Sequence, residues 1–401
     1  MISVIEAEAI IAESAPKYPA VERPLREVYG GVLREDVSAD RDQPPFHRVT
    51  MDGIAIAHRS WERGRRQFRV QGTHTPGKRP PILEAVDTCI EVMTGAVLPE
   101  GCDCVVRLED IETKDAVATI RDGVAVRPRQ NIHPQGSDHQ RGDRVLRAGQ
   151  RLLPPHIAVA ASAGMARIQV ADPPAIAIMS TGDELVEPQD PVEPFQVRRS
   201  NVYGIDALLH LQGLDRTELF HVQDDFPALV NKTEEILRKF DVLILTGGVS
   251  MGLYDFVPAA LATQRVRCLF HQVRQRPGKP MWFGISPSGQ PVYALPGNPV
   301  SSLVCFYRYV LPQLERSLGL VEPEANRVVL NQDVEFKPKL TYFLPVSVAT
   351  SSEGRWTATP RATNTSGDFG TLAETDGFVE LEESRDVFPA GHVARFYSWR
   401  Q

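Results

Sequence analysis

The stretch from Asp241 to Asp255, DVLILTGGVSMGLYD, constrains the fold more than any other part of the chain. Val242, Leu243, Ile244 and Leu245 form an unbroken apolar run, the pattern of a strand covered on both faces in a parallel sheet. The run ends on Thr246, Gly247 and Gly248, where glycines permit a sharp turn and let backbone N–H groups approach a ligand. In open α/β sheets ligands sit at the carboxyl ends of strands, so this loop falls where a site is expected. Ser250 and Asp255 add a hydroxyl and a carboxylate, and Asp255 is a candidate for holding a divalent cation, which takes oxygen ligands. The plain alternative is a tight turn with a solvated aspartate.

Around this stretch strands and helices alternate. Strands are expected at 175–179, 217–222, 242–245, 267–273, 280–285 and 290–295. Helices are expected at 201–211, 226–240 and 257–263, and from the Pro299 region to Leu318. That alternation predicts a doubly wound α/β domain, with Ser200 or Asn201 capping the first helix. Upstream, residues 4–14 read as a short amphipathic helix, and 24–43 as a helix broken at Gly30-Gly31 followed by an extended arm. Short runs at 67–70, 88–93, 104–108 and 116–126 predict a small β domain, and Pro154-Pro155 opens a short helix closed by Gly164. After Pro323, runs at 327–334, 340–348, 356–359, 377–380 and 392–399 predict a closing β barrel or sandwich.

A chain of 401 residues exceeds one core, and 42% hydrophobic with 24% charged residues is ordinary for a soluble multidomain protein. A net charge of −7 argues against nucleic acid as the main partner. The five cysteines form no CxxC pair, which fits a reducing, cytoplasmic location better than a disulfide framework or a zinc site. The first residues lack a basic region and no apolar run reaches membrane-spanning length, so no membrane partner is expected.

Three strand ends carry Gly or Pro with polar groups: STGDEL (180–185), TGGVSMGLYD (246–255) and LPGNP (295–299). In one parallel sheet they open on the same edge and build a composite pocket. Asp183 and Glu184 are adjacent, so at most one faces a ligand without distorting the loop. In RPGKP, Arg276 and Lys279 flank a glycine before what reads as an edge strand, and suit a phosphate or oxyanion. Surface salt bridging is the competing use. Taken alone, Asp52 in TMDG and Asp138 in GSD read as ordinary turn aspartates. His133, His139 and His156 lack metal-ligand spacing.

Seven segments taken together carry a resemblance: PPFHRVTMDGIAI, MTGAVLPEGCDCVV, STGDEL, SNVYGIDALL, DVLILTGGVSMGLYDFV, RPGKPMWFG and ALPGNPVSS. In that order they resemble the molybdopterin molybdenumtransferase family (MoeA-type, shared with the E domain of gephyrin), over nearly the whole chain. The resemblance implies an enzyme of molybdenum cofactor biosynthesis. Such an enzyme inserts molybdenum from molybdate into adenylylated molybdopterin and releases AMP in a Mg²⁺-dependent step. It also implies a homodimer of elongated four-domain subunits. The divisions expected are an N-terminal dimerisation domain (1–45 plus 140–172), an inserted small β domain (46–139), the molybdopterin-binding α/β domain (173–320) and a C-terminal β barrel (321–401). A molybdopterin adenylyltransferase and cofactor-accepting molybdoenzymes are the protein partners implied. Rival functions are a pterin-binding carrier or scaffold without turnover, and a molybdopterin adenylyltransferase.

Residue by residue, the resemblance puts Asp52, Asp138, Glu184 and Asp255 at catalytic positions, with Glu184 and Asp255 at the metal. Substrate-binding positions fall on Thr94, Ser180, Thr181, Gly182, Asp183, Thr246, Gly247, Gly248, Ser250, Arg276, Lys279, Pro296, Gly297, Asn298, Pro299 and Ser301. The chemistry is consistent: phosphates and molybdate are anions, met by backbone N–H groups, a helix N-terminus and Lys279, while carboxylates hold Mg²⁺. Two departures stand out. His133 and Ser137 replace the family's usual arginine or glutamate. KPKLTYFLP replaces an Arg-rich strand, leaving Lys337 and Lys339 as substitutes. The Asp52 and Asp138 motifs lie far upstream of the glycine loops, so the site is expected to be completed by a partner subunit.

Overall fold

The computed structural model describes residues 1–249, 256–321, 324–361 and 368–400. It divides into two compact units, one of Met1–Glu35, Gly149–Leu153 and Arg167–Gln401, the other of Asp36–Ala148 and Pro154–Ala166.

The first unit is built on a six-stranded sheet of β1 (Ile176–Thr181), β2 (Thr217–Val222), β3 (Val242–Thr246), β4 (Arg267–His271), β5 (Trp282–Ile285) and β6 (Pro291–Leu295), in spatial order β2-β1-β3-β6-β5-β4. The four strands β2, β1, β3 and β6 are parallel. Strand β5 is antiparallel to β6, and β4 to β5. The sheet is therefore mixed, and the strand after RPGKP is second from the edge rather than the edge strand expected. The cause is local. Ser286 and Gln290 close a short hairpin through Gly289 at φ 87°, so β5 and β6 must pair antiparallel.

Alternate residues of the central strands go to opposite faces, as strand geometry requires. Ile176, Ile178, Val242, Ile244, Tyr293 and Leu295 pack with α1 (Asn201–Leu211) and α4 (Pro299–Cys305). Ala177, Met179, Leu243, Leu245, Val292 and Ala294 pack with α2 (Phe226–Lys239) and α3 (Val257–Thr263). Helices on both faces explain the unbroken apolar run of β3. Each such aliphatic side chain contributes about 1.5–3 kcal/mol on burial. The helix expected to run unbroken to Leu318 is interrupted by a π turn, Phe306–Val310, before α5 (Leu311–Leu318).

The C-terminal strands close a five-stranded barrel. Thr341–Thr350 pairs with Trp356–Pro360 and Gly377–Leu381, and Arg327–Leu330 pairs with Trp356–Pro360 and Val393–Ser398. Gly377–Leu381 and Val393–Ser398 complete the ring. Among the described residues closure pairs the barrel strands with one another, and Gln275–Arg276 adds to the start of Thr341–Thr350 as a short parallel strand. Lys337 and Lys339, considered as anion-binding substitutes, are exposed and paired with Glu335 and Asp386. The helix expected before the Gly30-Gly31 break is reduced to one turn, Leu25–Glu27, while the extended arm expected after it carries the short strand Val37–Ser38. Pairing wins over local helix preference there: Ala20–Pro24 is zipped antiparallel to Arg167–Ala171, and Leu33 bridges Val170.

The second unit carries a six-stranded sheet in the order Cys104–Arg107, Gly53–Ile56, Thr88–Val92, Gln67–His74, Val117–Ile120, Ile111–Lys114. Residues 116–126, expected as one strand, instead give the second arm of a hairpin. Asp115 and Ala116 turn it with φ of 50° and 59°, the double positive φ of a tight two-residue connection. Among the described residues no helix is long and apolar enough to cross a membrane.

Candidate active site

Because β1, β3 and β6 are adjacent and parallel, the polar loops after all three open on one sheet edge. Gly247 lies directly against its neighbours. Its amide donates to the Leu295 carbonyl (3.1 Å), and a Cβ built on Gly297 would sit 3.6 Å from the Gly247 Cα. Gly247 and Gly248 adopt φ of 95° and 64°. A Cβ on Gly247 would lie 2.9 Å from the Thr181 carbonyl oxygen, and one on Gly248 would lie 2.7 Å from the Val257 side chain and 3.0 Å from the Thr181 hydroxyl. Only glycine lets the β3 loop nest against the β1 loop this closely. Strand β5 runs antiparallel to β6, so its start falls on this same edge and brings the Arg276 to Lys279 turn with it. The site residues Ser250 and Asp255 lie outside the described residues.

Ser180 and Thr181 are buried, and their hydroxyls are engaged within the protein. Ser180 Oγ receives the Arg199 Nε–H (2.9 Å) and contacts His221 Nδ1 (3.1 Å). The buried Arg199 also donates to the Phe220 carbonyl and pairs with Glu187, whose other oxygen accepts from Tyr203. Burial, followed by the Arg199 charge, pushes the His221 imidazole below its usual range. Thr181 Oγ1 donates to Asp224 (3.3 Å). Asp183 accepts the Asp224 amide (3.0 Å), while the Glu184 carboxylate folds back toward Gly182, which has φ 144°. Asp183, though exposed, is thus used to hold the loop, and Glu184, exposed beside it, is the other carboxylate of the pair. Burial, then the charges of Asp183 and Glu184, raise the Asp224 carboxyl above its ordinary value.

At the third loop, α4 begins at Pro299, and Asn298 at its N-cap makes no side-chain cap bond. Ser301 is buried in the first turn. Asn201 does not cap α1 through its side chain. Its amide donates instead to the Gly297 carbonyl (2.8 Å), and its buried carbonyl oxygen has no hydrogen-bond partner among the described residues. Arg276 and Lys279 are exposed.

In the second unit, side chains rather than glycines assemble the cluster. Asp52 accepts both the amide (2.7 Å) and the hydroxyl (2.8 Å) of Thr94, bonds that hold its carboxyl below the ordinary range. Asp138 accepts from His133 Nε2 at 2.8 Å, and Arg48 lies 3.0 Å from His133 Nδ1. A guanidinium can only donate, so Nδ1 is the acceptor and the His133 proton sits on Nε2, aimed at Asp138. The backbone explains the convergence. Arg48 and Val49 pair with His133 and Ile132, while Val49 exchanges hydrogen bonds with Gly95 and Ala96.

Sequence reasoning missed Asp224, Arg199 and the Asn201 contact. Asp224 had a signal, since β2 is parallel to β1 and its end obeys the same rule as the other three loops. Arg199 had none: a charge buried by a network formed only in the fold looks like any surface arginine.

The comparisons with known proteins agree along the chain. Residues 2–164 match the MoeA N-terminal region (domain I and II), 177–316 a probable molybdopterin binding domain, and 327–399 the MoeA C-terminal region (domain IV). A molybdopterin molybdenumtransferase of Synechocystis is 37% identical over 400 residues, covering all of both chains. One of Staphylococcus aureus is 30% identical, covering 98% of this chain and 94% of that protein. Two crystal structures of MoeA molybdopterin biosynthesis proteins from Pyrococcus horikoshii superpose with TM-scores of 0.79 and 0.82, at 26% and 23% identity. Each covers at least 99% of this chain and all of the other.

Proposed function

This chain belongs to the MoeA family of molybdopterin molybdenumtransferases, and we propose that its sheet edge binds adenylylated molybdopterin and directs molybdenum from molybdate into it with release of AMP. The observation that carries the reading is the convergence of four polar loops, those after β1, β3 and β6 and the turn before β5, on one edge of one sheet. Backbone N–H groups of the glycine loops and the N-terminal turn of α4 meet phosphate and molybdate oxygens. Lys279 and Arg276 supply charge, the arginine with the option of two parallel hydrogen bonds.

Glu184, with Asp255, is the proposed Mg²⁺ pair. The donor chemistry fits: all are oxygens, and Asp224, raised first by burial and then by the charges of Asp183 and Glu184, sits beside negative charge that a cation would relieve. Among the described residues no three of His, Cys, Asp or Glu are arranged as a metal site. Mg²⁺ keeps waters and shares phosphate oxygens with one or two carboxylates, so Glu184 and Asp255 are enough for the proposed role. When bound, the ion would polarise the phosphoanhydride and stabilise the leaving phosphate.

The reading extends to a cytoplasmic homodimer with the four-domain division expected above, in which the partner subunit's Asp52 and the partner subunit's Asp138 serve this edge. Hand-over from an adenylyltransferase and to molybdoenzymes belongs to the same proposal. Mixing the protein with adenylylated molybdopterin, molybdate and Mg²⁺ and following AMP tests it, with AMP expected only when both ions are present. Stoichiometric binding without AMP would establish a carrier instead, and ATP consumption with metal-free pterin an adenylyltransferase.

A further inference from the structure

We infer that Gln275 is a positioning residue that sets the shape of the turn carrying Arg276 and Lys279, and thereby the grip of that turn on the substrate; the inference rests on reading this edge as a phosphate-binding site. Neither cationic side chain is hydrogen-bonded or ion-paired among the described residues, so the backbone beneath them must fix where they start. Gln275, only 1% exposed, is at the centre of that backbone. Its amide donates to the Gly278 carbonyl (3.1 Å) and to Cys305 Sγ (3.3 Å), and its carbonyl oxygen accepts from the Tyr309 hydroxyl. The amide orientation is determined, because the Gly278 carbonyl can only accept. A buried primary amide is costly unless its groups are satisfied, and here both donors and the acceptor are used.

The turn lies directly on this group. Gly278 has φ 91°, and a Cβ there would fall 2.5 Å from Cys305 Sγ and 2.7 Å from Gln275 Nε2. On either side other bonds tie the chain: Thr341 N–H donates to the Arg274 carbonyl (3.0 Å), and Val273 N–H to the Lys279 carbonyl (3.0 Å). What Gln275 adds is the link across to the helix. Cys305 ends α4, which begins just after Gly297, and Tyr309 rides on the π turn that follows. One side chain therefore locks the cationic turn to the element that carries the LPGNP loop. Irregular turns inside a helix are often kept for such placement.

The test compares wild type, Gln275→Met, Lys279→Ala and the double variant. Methionine keeps the volume and removes every hydrogen bond. Gln275→Met is expected to raise KM for adenylylated molybdopterin about tenfold while kcat changes by less than about twofold. In the Lys279→Ala background the same change should add less than about twofold, because Gln275 acts through that turn. Hydrogen exchange of the Val273 amide, which reports closure of the turn, should quicken. If Gln275→Met does not fold, Tyr309→Phe removes one bond and should show the same pattern at about threefold. Unchanged Val273 exchange, unchanged KM, or effects that multiply in the double variant would each overturn the proposal. A wild-type protein that releases no AMP defeats the functional reading alone, and Gln275 is then judged on Val273 exchange.

Discussion

The sheet edge of the first unit and the Asp52–Asp138 cluster of the second hold their polar groups by opposite means. At the edge, backbone does the positioning: Gly182, Gly247 and Gly248 have positive φ, and added Cβ atoms would meet neighbours at 2.5–2.9 Å. In the second unit, side chains do it: Thr94 fixes Asp52, and Arg48 and His133 fix Asp138. A site made by backbone resists substitution with any residue bearing a Cβ. A site made by hydrogen-bonded side chains tolerates changes in stability but not in chemistry.

The largest expected effect is the exception that sharpens this contrast. Gly53, next to Asp52, would place a Cβ 1.9 Å from the Val106 carbonyl oxygen across the strand pair. Gly53→Ala should destabilise the second unit by about 4 kcal/mol or more, read by denaturant titration. A loss below about 1 kcal/mol would show that backbone crowding matters little there. Next is Gly248→Ala at the edge, expected to cost about 2–3 kcal/mol from the positive φ and the Val257 contact, with AMP release lost in parallel. Full activity in that variant would break the claim that the edge is backbone-built.

Asp52→Asn should behave in the opposite way. The asparagine carbonyl can still accept from Thr94, so the melting temperature should stay close to that of wild type while kcat falls about a hundredfold. Smaller still are the titration effects. Thr94→Val removes one of two bonds that lower the Asp52 pKa, so the carboxyl should titrate higher in an NMR pH series. The sign for stability follows: a depressed folded pKa stabilises above the unfolded value, and that contribution fades as pH falls through the folded value. Asp224 has the reverse sign, its stabilisation present at low pH and lost as pH rises through its raised value. Asp183→Asn, or saturating Mg²⁺ held at this edge, should move the Asp224 carboxyl back down. No response to Mg²⁺ would place the metal elsewhere.

The same contrast explains what was legible in the sequence. Glycine loops at strand ends announce themselves: in TGGVS the positive φ of Gly247 and Gly248 demands the residue type, and LPGNP was readable from its Gly and Pro at a strand end. The buried strands β1, β3 and β6 were readable from their apolar runs. Arg199 was not marked by type, since its role arises from burial and neighbours that only the fold supplies, and Asp224 was marked only by its place at the end of β2. His133 was visible as a departure, yet its proton on Nε2 depends on Arg48, which lies 85 positions away in the chain. The helix expected between residue 24 and the Gly30-Gly31 break failed for a related reason: strand pairing with Arg167–Ala171 on either side of it is invisible to a local pattern.

As proposed above, these two differently built clusters would serve one reaction across a dimer. Mixing Asp52→Ala protein with Lys279→Ala protein, each impaired alone, tests it most directly. If clefts are shared between subunits, a mixed dimer has one cleft with both defects and one intact. AMP release should then rise above that of either variant as subunits exchange. If exchange is verified by a mass label and AMP release stays at the level of the separate variants, the shared-site account is contradicted.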